Sequence, residues 1–280
     1  MKTAQGLPLP SLSRGRFLRS DASASEEAIY AYTDEALFEA SGVRIAFTER
    51  AGGFSVSPFD SLNLGEYVDD DPAVVQGNRR KLLSALGFPN AQIISPKQVH
   101  GTDVAIWRYM NETNLVRQTA QQGADALVVE DAQCAALLVF ADCMPVILVA
   151  PNGAFAVAHA GWRGAYGHVA VRALLALCEY SCCQPGECNA YIGPYIHAEC
   201  FEVSNDLMQR FSIAFGEDCA PDARHVDLGR VVSSDLQHAG IVPERIADVD
   251  ICTACNTSKF YSYRAQQGIC GRHGALAVRQ

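Results

Sequence analysis

The chain has 280 residues, 49% of them hydrophobic, enough to bury one large core or two small ones. A formal net charge of −9 argues against a nucleic-acid partner, whose phosphates demand a basic face. Asp142 and Pro145 interrupt the longest apolar run before it reaches the ~18 residues of a membrane span, and no apolar signal core follows Lys2.

Residues 1–40 read as an N-terminal extension, Pro/Ser/Arg-rich at first and acidic around Glu26-Glu27, with a short helix over 26–40. Residues 41–280 carry no internal repeat and no interior linker, and read as one catalytic domain. VRIAFTER, from Val43, alternates as a strand until Ala51-Gly52-Gly53 breaks it, and SPFDSLNLG (57–65) is loop chemistry. Asp70 or Asp71 caps a helix with Pro72 in its first turn, and Val75, Asn78, Leu82 and Leu86 keep helical spacing. Strands at 93–94 and 104–107 flank Lys97-Gln98-Val99-His100-Gly101, and a polar linker at 111–122 precedes a strand at 126–129.

The stretch 134–164 holds two apolar runs about a Pro151-Asn152-Gly153 turn and ends in Gly161-Trp162-Arg163-Gly164. Such runs are buried strands, yet they contain Asp142, Cys143 and His159, which are costly to bury without partners. A hairpin closed by that turn pairs residues symmetrically about it and sets Cys143 against His159. Met144-Pro145 marks a strand start, since proline cannot donate to a ladder. A helix follows over 165–178, then a strand at 189–192. Ser204 caps a helix through Phe211, and Asp227 caps another that stops at Gly240. Strand and turn patterns return at 257–264 and 271–278. The irregular interleaving predicts an α+β fold, a single layered domain of mixed β-sheets flanked by helices.

His100, Cys143 and His159 are the soft-ligand candidates. Two imidazoles and a thiolate leave a fourth position for water or substrate, as catalytic zinc sites do. Their spacing matches no local zinc signature, so a core cysteine with two hydrogen-bonded histidines explains them equally well. Eleven cysteines, odd in number and irregularly spaced, read as thiols of a reducing compartment. The expectation is a cytoplasmic monomer or small homo-oligomer that binds neither nucleic acid nor membrane.

A series of motifs then gives a family resemblance. TERAGGFS, SLNLG, NRRKL, KQVHG, ADALV, ADCMPVIL, AHAGWRG, IGP, CT, FYSYR and GR occur in that order between Val43 and Val278. The chain resembles the laccase-domain family, also called YfiH-like, whose members are described as zinc-dependent purine nucleoside phosphorylases. The resemblance implies a YfiH-like fold and puts the family's metal ligands at His100, Cys143 and His159. It implies zinc, with copper less favoured. The implied substrates are phosphate and purine nucleosides (inosine, guanosine, adenosine, methylthioadenosine), converted to base and ribose 1-phosphate, with adenosine deamination as a side activity.

Within that reading Cys143, His159 and Arg163 form the catalytic group. Arg163 stands at a helix start and suits phosphate, with Arg50 and Arg264 as helpers. Gln98, Asn63 and Trp162 hydrogen-bond or stack the nucleoside. Each arginine has an ordinary alternative as a structural ion pair. Asp142 orients a ligand histidine or satisfies its own turn.

Other patterns weigh less. His197-Ala198-Glu199 with Cys252-Thr253-Ala254-Cys255 imitates the H-x-E…C-x-x-C pattern of zinc deaminases, but no proline precedes Cys252 and the halves lie far apart. Cys178, Cys182, Cys183 and Cys188 fit helix packing better than a metal. Three rival functions remain. Copper-dependent polyphenol oxidation would need several imidazole-bound coppers, and the chain has seven histidines with no His-x-His pair. A cysteine hydrolase or amidase would use Cys143 as nucleophile and His159 as base. A non-enzymatic zinc-binding module would fill the fourth position.

Overall fold

The computed structural model describes residues 6–19, 27–107 and 123–280. The polar linker expected at 111–122 lies outside the described residues. Strands β1 (Ser13–Phe17), β2 (Ile29–Thr33) and β3 (Val43–Thr48) lead to β4 (Gln92–Ile94), with helices α1 (Glu35–Ser41) and α2 (Pro72–Ala85) between them. Strands β5 (Val104–Trp107), β6 (Ala126–Val129), β7 (Cys134–Phe140), β8 (Met144–Val149) and β9 (Phe155–Ala160) precede helices α3 (Trp162–Tyr166) and α4 (Val169–Ser181). Then come β10 (Asn189–Ile192), α5 (Asn205–Phe215), α6 (Leu228–His238), β11 (Ile246–Asp248) and β12 (His273–Arg279).

The strands form two mixed six-stranded sheets, ordered β1-β2-β3-β12-β7-β4 and β11-β10-β8-β9-β6-β5. Strands buried on both faces read as continuous apolar runs rather than alternating ones, which is why β8 and β9 show no period of two. Phe47, Leu138, Phe155, Val157 and Tyr191 fill the space between the sheets. The second sheet's outer face carries α3, α4, α5 and α6, through Val146, Ala158, Leu174, Phe211 and Val232. The first sheet's outer face carries Leu62, Leu64 and the α2 residues Leu82 and Leu83. The fold is therefore a helix–sheet–sheet–helix α+β arrangement of mixed sheets flanked by helices, as expected.

Four local expectations change. The helix expected over 26–40 is β2 followed by α1, because Asp34 accepts from the Leu37 N–H and starts the helix there, after the IYAYT strand. The helix expected over 165–178 is two helices, broken at Gly167 and at His168, whose φ is 61°. The α5 helix runs on to Phe215 because Gly216, not Phe211, ends it. Of the strand and turn patterns expected at 257–264 only the turns form, with Lys259 and Phe260 N–H groups both bonded to the Asn256 carbonyl.

Candidate metal and active site

Cys143 lies where the chain crosses from one sheet to the other, in the Ala141-Asp142-Cys143 link between β7 and β8. Asp142 takes φ 86° there, a left-handed conformation that only a surrounding set of bonds can hold. Those bonds are present. Thr253 Oγ1 donates to Asp142 Oδ1 at 2.7 Å, Arg264 N–H to Oδ2 at 2.7 Å, and Ile196 N–H to the Asp142 carbonyl at 2.9 Å. Asp142 is thus committed to shaping the Cys143 turn and does not orient a histidine.

The hairpin register differs from the expected one by one diagonal step. Pro145, not Cys143, is paired with His159, because the three-residue turn centres on Asn152. Cys143 precedes β8 by one residue and shares the Pro145 face, so its thiol meets the His159 ring diagonally. His100 comes from the loop between β4 and β5, with φ 58°. The ligand atoms of His100, Cys143 and His159 all lie within 4.8 Å of one another. The two imidazoles meet edge to face with centroids 4.8 Å apart.

Asp125, directly before β6, holds this group together. It is fully buried and accepts from His159 Nδ1 at 2.8 Å and from the N–H groups of Val99 (3.2 Å), His100 (2.9 Å) and Gly101 (2.6 Å). One carboxylate therefore fixes both the His159 ring and the backbone carrying His100. The ADALV motif contained Asp125, but a carboxylate at a strand entry gives no local sign that it faces a loop some 25 residues upstream. Gly161 completes the pocket. A Cβ there would lie 3.0 Å from Cys143 Sγ and 3.2 Å from the His100 ring, so the space belongs to those two side chains.

The electrostatics among these side chains favour an ion pair of Cys143 with His159. Burial raises the Cys143 thiol, but the His159 and His100 imidazoles more than offset this and hold it down to about 6. Burial lowers His159, while the Cys143 thiolate and Asp125 carboxylate raise it to about 9. Burial would also raise Asp125, yet its bonds to His159 and to the Gly101 and Val99 N–H groups keep it below the usual carboxylate range.

The three side chains line one end of a cleft of about 440 Å³. Arg272, Arg79, Glu66, Tyr67, Tyr263 and Gln98 line the rest. Arg79 is spent on structure: it donates to the Leu64 carbonyl and pairs with Glu66 at 2.6 Å. Arg272 donates through Nη1 to the Cys270 and Gly271 carbonyls. No carboxylate pairs with it among the described residues. The GR motif contained Arg272, but only the return of the C-terminal segment to the cleft marks it as a site residue.

Several expected substrate contacts lie elsewhere. Arg163 is exposed and stacks over Trp162 at 4.1 Å; neither lines the cleft, because α3 runs away from the triad after Gly161. Arg50 donates to the Asp60 and Thr257 carbonyls, pairs with Asp60 and lies over Tyr261, which makes it a loop clamp. Arg264 donates to the Cys200 and Glu202 carbonyls. Asn63 is fully buried, and its Oδ1 accepts from Gly65 and Arg272 N–H, so it positions the Arg272 backbone and touches no open space. Gln98 does line the cleft, although its amide is already paired in both directions with the Val139 backbone. Of the other cysteines, Cys178, Cys183 and Cys188 gather their sulfurs with 3.6 and 3.7 Å contacts around buried Cys188, while Cys182 is exposed.

Two mixed sheets with a Cys/His triad at their crossing, buttressed by a buried carboxylate and open to a cleft, define a layered α+β protein with a three-ligand metal-site candidate. Residues 44–280 match the family described as multi-copper polyphenol oxidoreductase laccase, and the chain belongs to that family. It is 31% identical over 249 residues to a protein named purine nucleoside phosphorylase YlmD of Geobacillus stearothermophilus, covering 85% of this chain and 91% of that one. The YlmD crystal structure superposes with a TM-score of 0.79, at 28% identity and 94% and 99% coverage. A purine nucleoside phosphorylase of Mycobacterium bovis is 34% identical over 223 residues, 78% of this chain and 85% of its own length. The crystal structure of Bacillus licheniformis hypothetical protein YfiH superposes with a TM-score of 0.81, at 26% identity, covering 89% of this chain and 96% of that one. No helix among the described residues is long and apolar enough to cross a membrane.

Proposed function

We propose that this protein is a zinc-dependent purine nucleoside phosphorylase, with His100, Cys143 and His159 as metal ligands. The observation that carries the reading is the convergence of these three ligand atoms within 4.8 Å at the end of a cleft that also holds Arg272. The donor set fits: two imidazoles and one thiolate suit zinc and leave a position open to the cleft. Asp125 accepts from His159 Nδ1 and so leaves Nε2 as the ligand atom. When bound, zinc supplies a Lewis acid that polarises an oxygen ligand.

The chain's own residues account for the rest. In phosphorolysis a phosphate oxygen bonds to C1′ of the ribose as the bond to the purine nitrogen breaks, and the electron pair and a proton pass to the departing base. Arg272 suits the phosphate, since it lines the cleft with no carboxylate partner among the described residues, only its Nη1 is bonded to backbone carbonyls, and a guanidinium can grip two oxygens. Tyr67 and Tyr263 are large exposed aromatics on the cleft wall, suited to stack on the purine. Names of relatives at about a third identity support this substrate class. Inosine, guanosine, adenosine and methylthioadenosine are the proposed substrates. Adenosine deamination would form a bond from water oxygen to C6 and break the bond to the amino nitrogen, which leaves as ammonia, with that water activated at the metal held by the three side chains.

Product analysis tests the proposal: purified protein with inosine or adenosine, with and without phosphate, beside metal content and a His159→Ala control. Phosphate-dependent release of base and ribose 1-phosphate, lost together with zinc in the control, is the expected result. Zinc present without turnover of any nucleoside overturns it and leaves a binding module.

A second reading rests on one observation. Cys143, His159 and Asp125 also line up as nucleophile, base and orienting acid, the arrangement of cysteine hydrolases. That reading requires a metal-free protein whose Cys143 reacts rapidly with iodoacetamide. The family description raises copper, and a set of two histidines and one cysteine would also suit a single copper. Multi-copper chemistry needs further imidazole sites, and the other thiol clusters among the described residues contain no histidine.

A further inference from the structure

The two halves of the deaminase-like pattern, set apart in sequence, come together in the fold as a different site. The chain pairs Tyr195 with Cys252 in a parallel bridge, which brings the turn carrying Glu199 and Cys200 against the Cys252-x-x-Cys255 knuckle. The ligand atoms of Glu199, Cys200, Cys252 and Cys255 all lie within 4.8 Å of one another. Cys200 and Cys255 sulfurs are 3.4 Å apart, and Cys255 Sγ lies 4.0 Å from Glu199 Oε1. A tetrahedral zinc with Zn–S bonds of about 2.3 Å requires sulfurs about 3.8 Å apart and a carboxylate oxygen slightly nearer. The Cys200–Cys255 sulfurs stand about 0.4 Å inside that spacing and the Cys255–Glu199 pair about 0.5 Å outside it, differences that small side-chain rotations supply. The His197 N–H also points at Cys252 Sγ at 3.4 Å, a donor that stabilises a metal-bound thiolate.

We propose that Glu199, Cys200, Cys252 and Cys255 bind a second divalent metal ion, zinc by the chemistry of its donors, in a closed four-ligand structural site. Three thiolates and one carboxylate leave no position for substrate, which separates this site from the open triad. Its work is mechanical. The segment on one side carries Ile196 and the segment on the other carries Thr253, the two residues whose backbone N–H and hydroxyl hold Asp142 in its left-handed turn beside Cys143. A metal joining the two segments therefore holds the turn that presents Cys143. The Cys178, Cys183 and Cys188 group offers three sulfurs but no fourth ligand, and it sits in the helix-covered core away from this turn.

The test counts zinc in the full-length protein, purified under reducing conditions, and compares it with variants. Wild type minus Cys255→Ala, and wild type minus a Cys200→Ser/Cys255→Ser double variant, is expected to give one zinc per chain. His159→Ala is expected to keep that zinc and lose only the other. Reading differences removes any metal held by the Cys178 group. Cobalt replacement adds a second readout: thiolate-to-cobalt absorption falls sharply in the double variant and persists in His159→Ala. Cys255 and Glu199 are exposed, so Cys255→Ala and Glu199→Gln remove ligands without opening the core, and Cys255→Ala decides the matter if the double variant fails to fold. Equal zinc in wild type and folded Cys255→Ala overturns the proposal. So does a Cys200–Cys255 disulfide in the reduced preparation. None of these outcomes depends on nucleoside turnover.

Discussion

Asp125 is the residue on which the candidate site depends most, although it does not line the cleft. Asparagine at that position retains the volume, but its amide cannot both accept from three N–H groups and accept from His159 Nδ1. Asp125→Asn is expected to weaken zinc binding by about 10- to 100-fold and to lower turnover in step, measured by chelator competition and by kcat/KM in excess zinc. Gly161→Ala tests space rather than charge. Gly161 has φ −67°, which alanine adopts freely, so only the new Cβ against Cys143 Sγ and the His100 ring matters. Zinc loading is expected to drop at least about tenfold with the melting temperature changed by only a few degrees.

His273 supplies the pH dependence. It is buried beside Phe140, Phe260 and Tyr261, and neither ring nitrogen has a hydrogen-bond partner among the described residues. Burial, helped by Arg272 and Arg50, lowers it to about 3. A base depressed in the folded state contributes stability that is full above its unfolded value near 6.5 and is lost as pH falls from there toward 3. The loss reaches about 3 kcal/mol by about pH 4.5. Urea titrations at pH 7 and 4.5 are expected to show this loss in wild type and a smaller one in His273→Phe.

At the scale of elements, the hairpin shows why position in a turn matters more than position in a run. The strands, their turn and the meeting of Cys143 with His159 follow from apolar runs about Pro151-Asn152-Gly153. The register does not, because a shift of one residue in the turn centre moves every pairing, and Pro145 rather than Cys143 faces His159. The same limit applies to anion binding. A Gly-Trp-Arg-Gly helix start looks like an anion site on the page, but α3 has five residues and carries Arg163 out to solvent. Two arginines line the cleft, and Arg272, ahead of β12, is the one not paired with a carboxylate among the described residues, since Arg79 is held by Glu66. Arg272→Ala is expected to reduce kcat/KM for phosphate about 10- to 100-fold, the worth of a charge-assisted contact, while Arg163→Ala leaves it within about twofold. Steady-state kinetics with varied phosphate decides between them.

For the whole molecule, the N-terminal segment is more than a tail. Leu7 is buried between the sheets, the Pro8 carbonyl accepts from Asn189 of β10, and β1 pairs with β2 along its whole length. Arg14 gives buried Glu49 two bonds, at 2.6 and 2.8 Å. Deleting residues 1–19 would strand that carboxylate and bare a new sheet edge. The deletion is expected to cost on the order of 3 kcal/mol in urea unfolding, whereas a loosely attached extension would cost nothing measurable.

Local chain chemistry alone decided much of this protein. Apolar runs set the strands, and Asp71 with Pro72 and Ser204 set helix starts, whereas His100, Cys143 and His159 were marked together by the family resemblance that the ordered motifs carry. These signals are readable because each acts within a few residues of itself. Tertiary structure alone decided that Asp125 holds both His159 and the backbone of His100, that Asp142 serves the turn, that Arg272 rather than Arg163 enters the cleft, and that Glu199 and Cys200 meet Cys252 and Cys255. Each of those contacts joins segments tens of residues apart, and side chains so separated carry no pattern until two sheets have packed and set the distance between them.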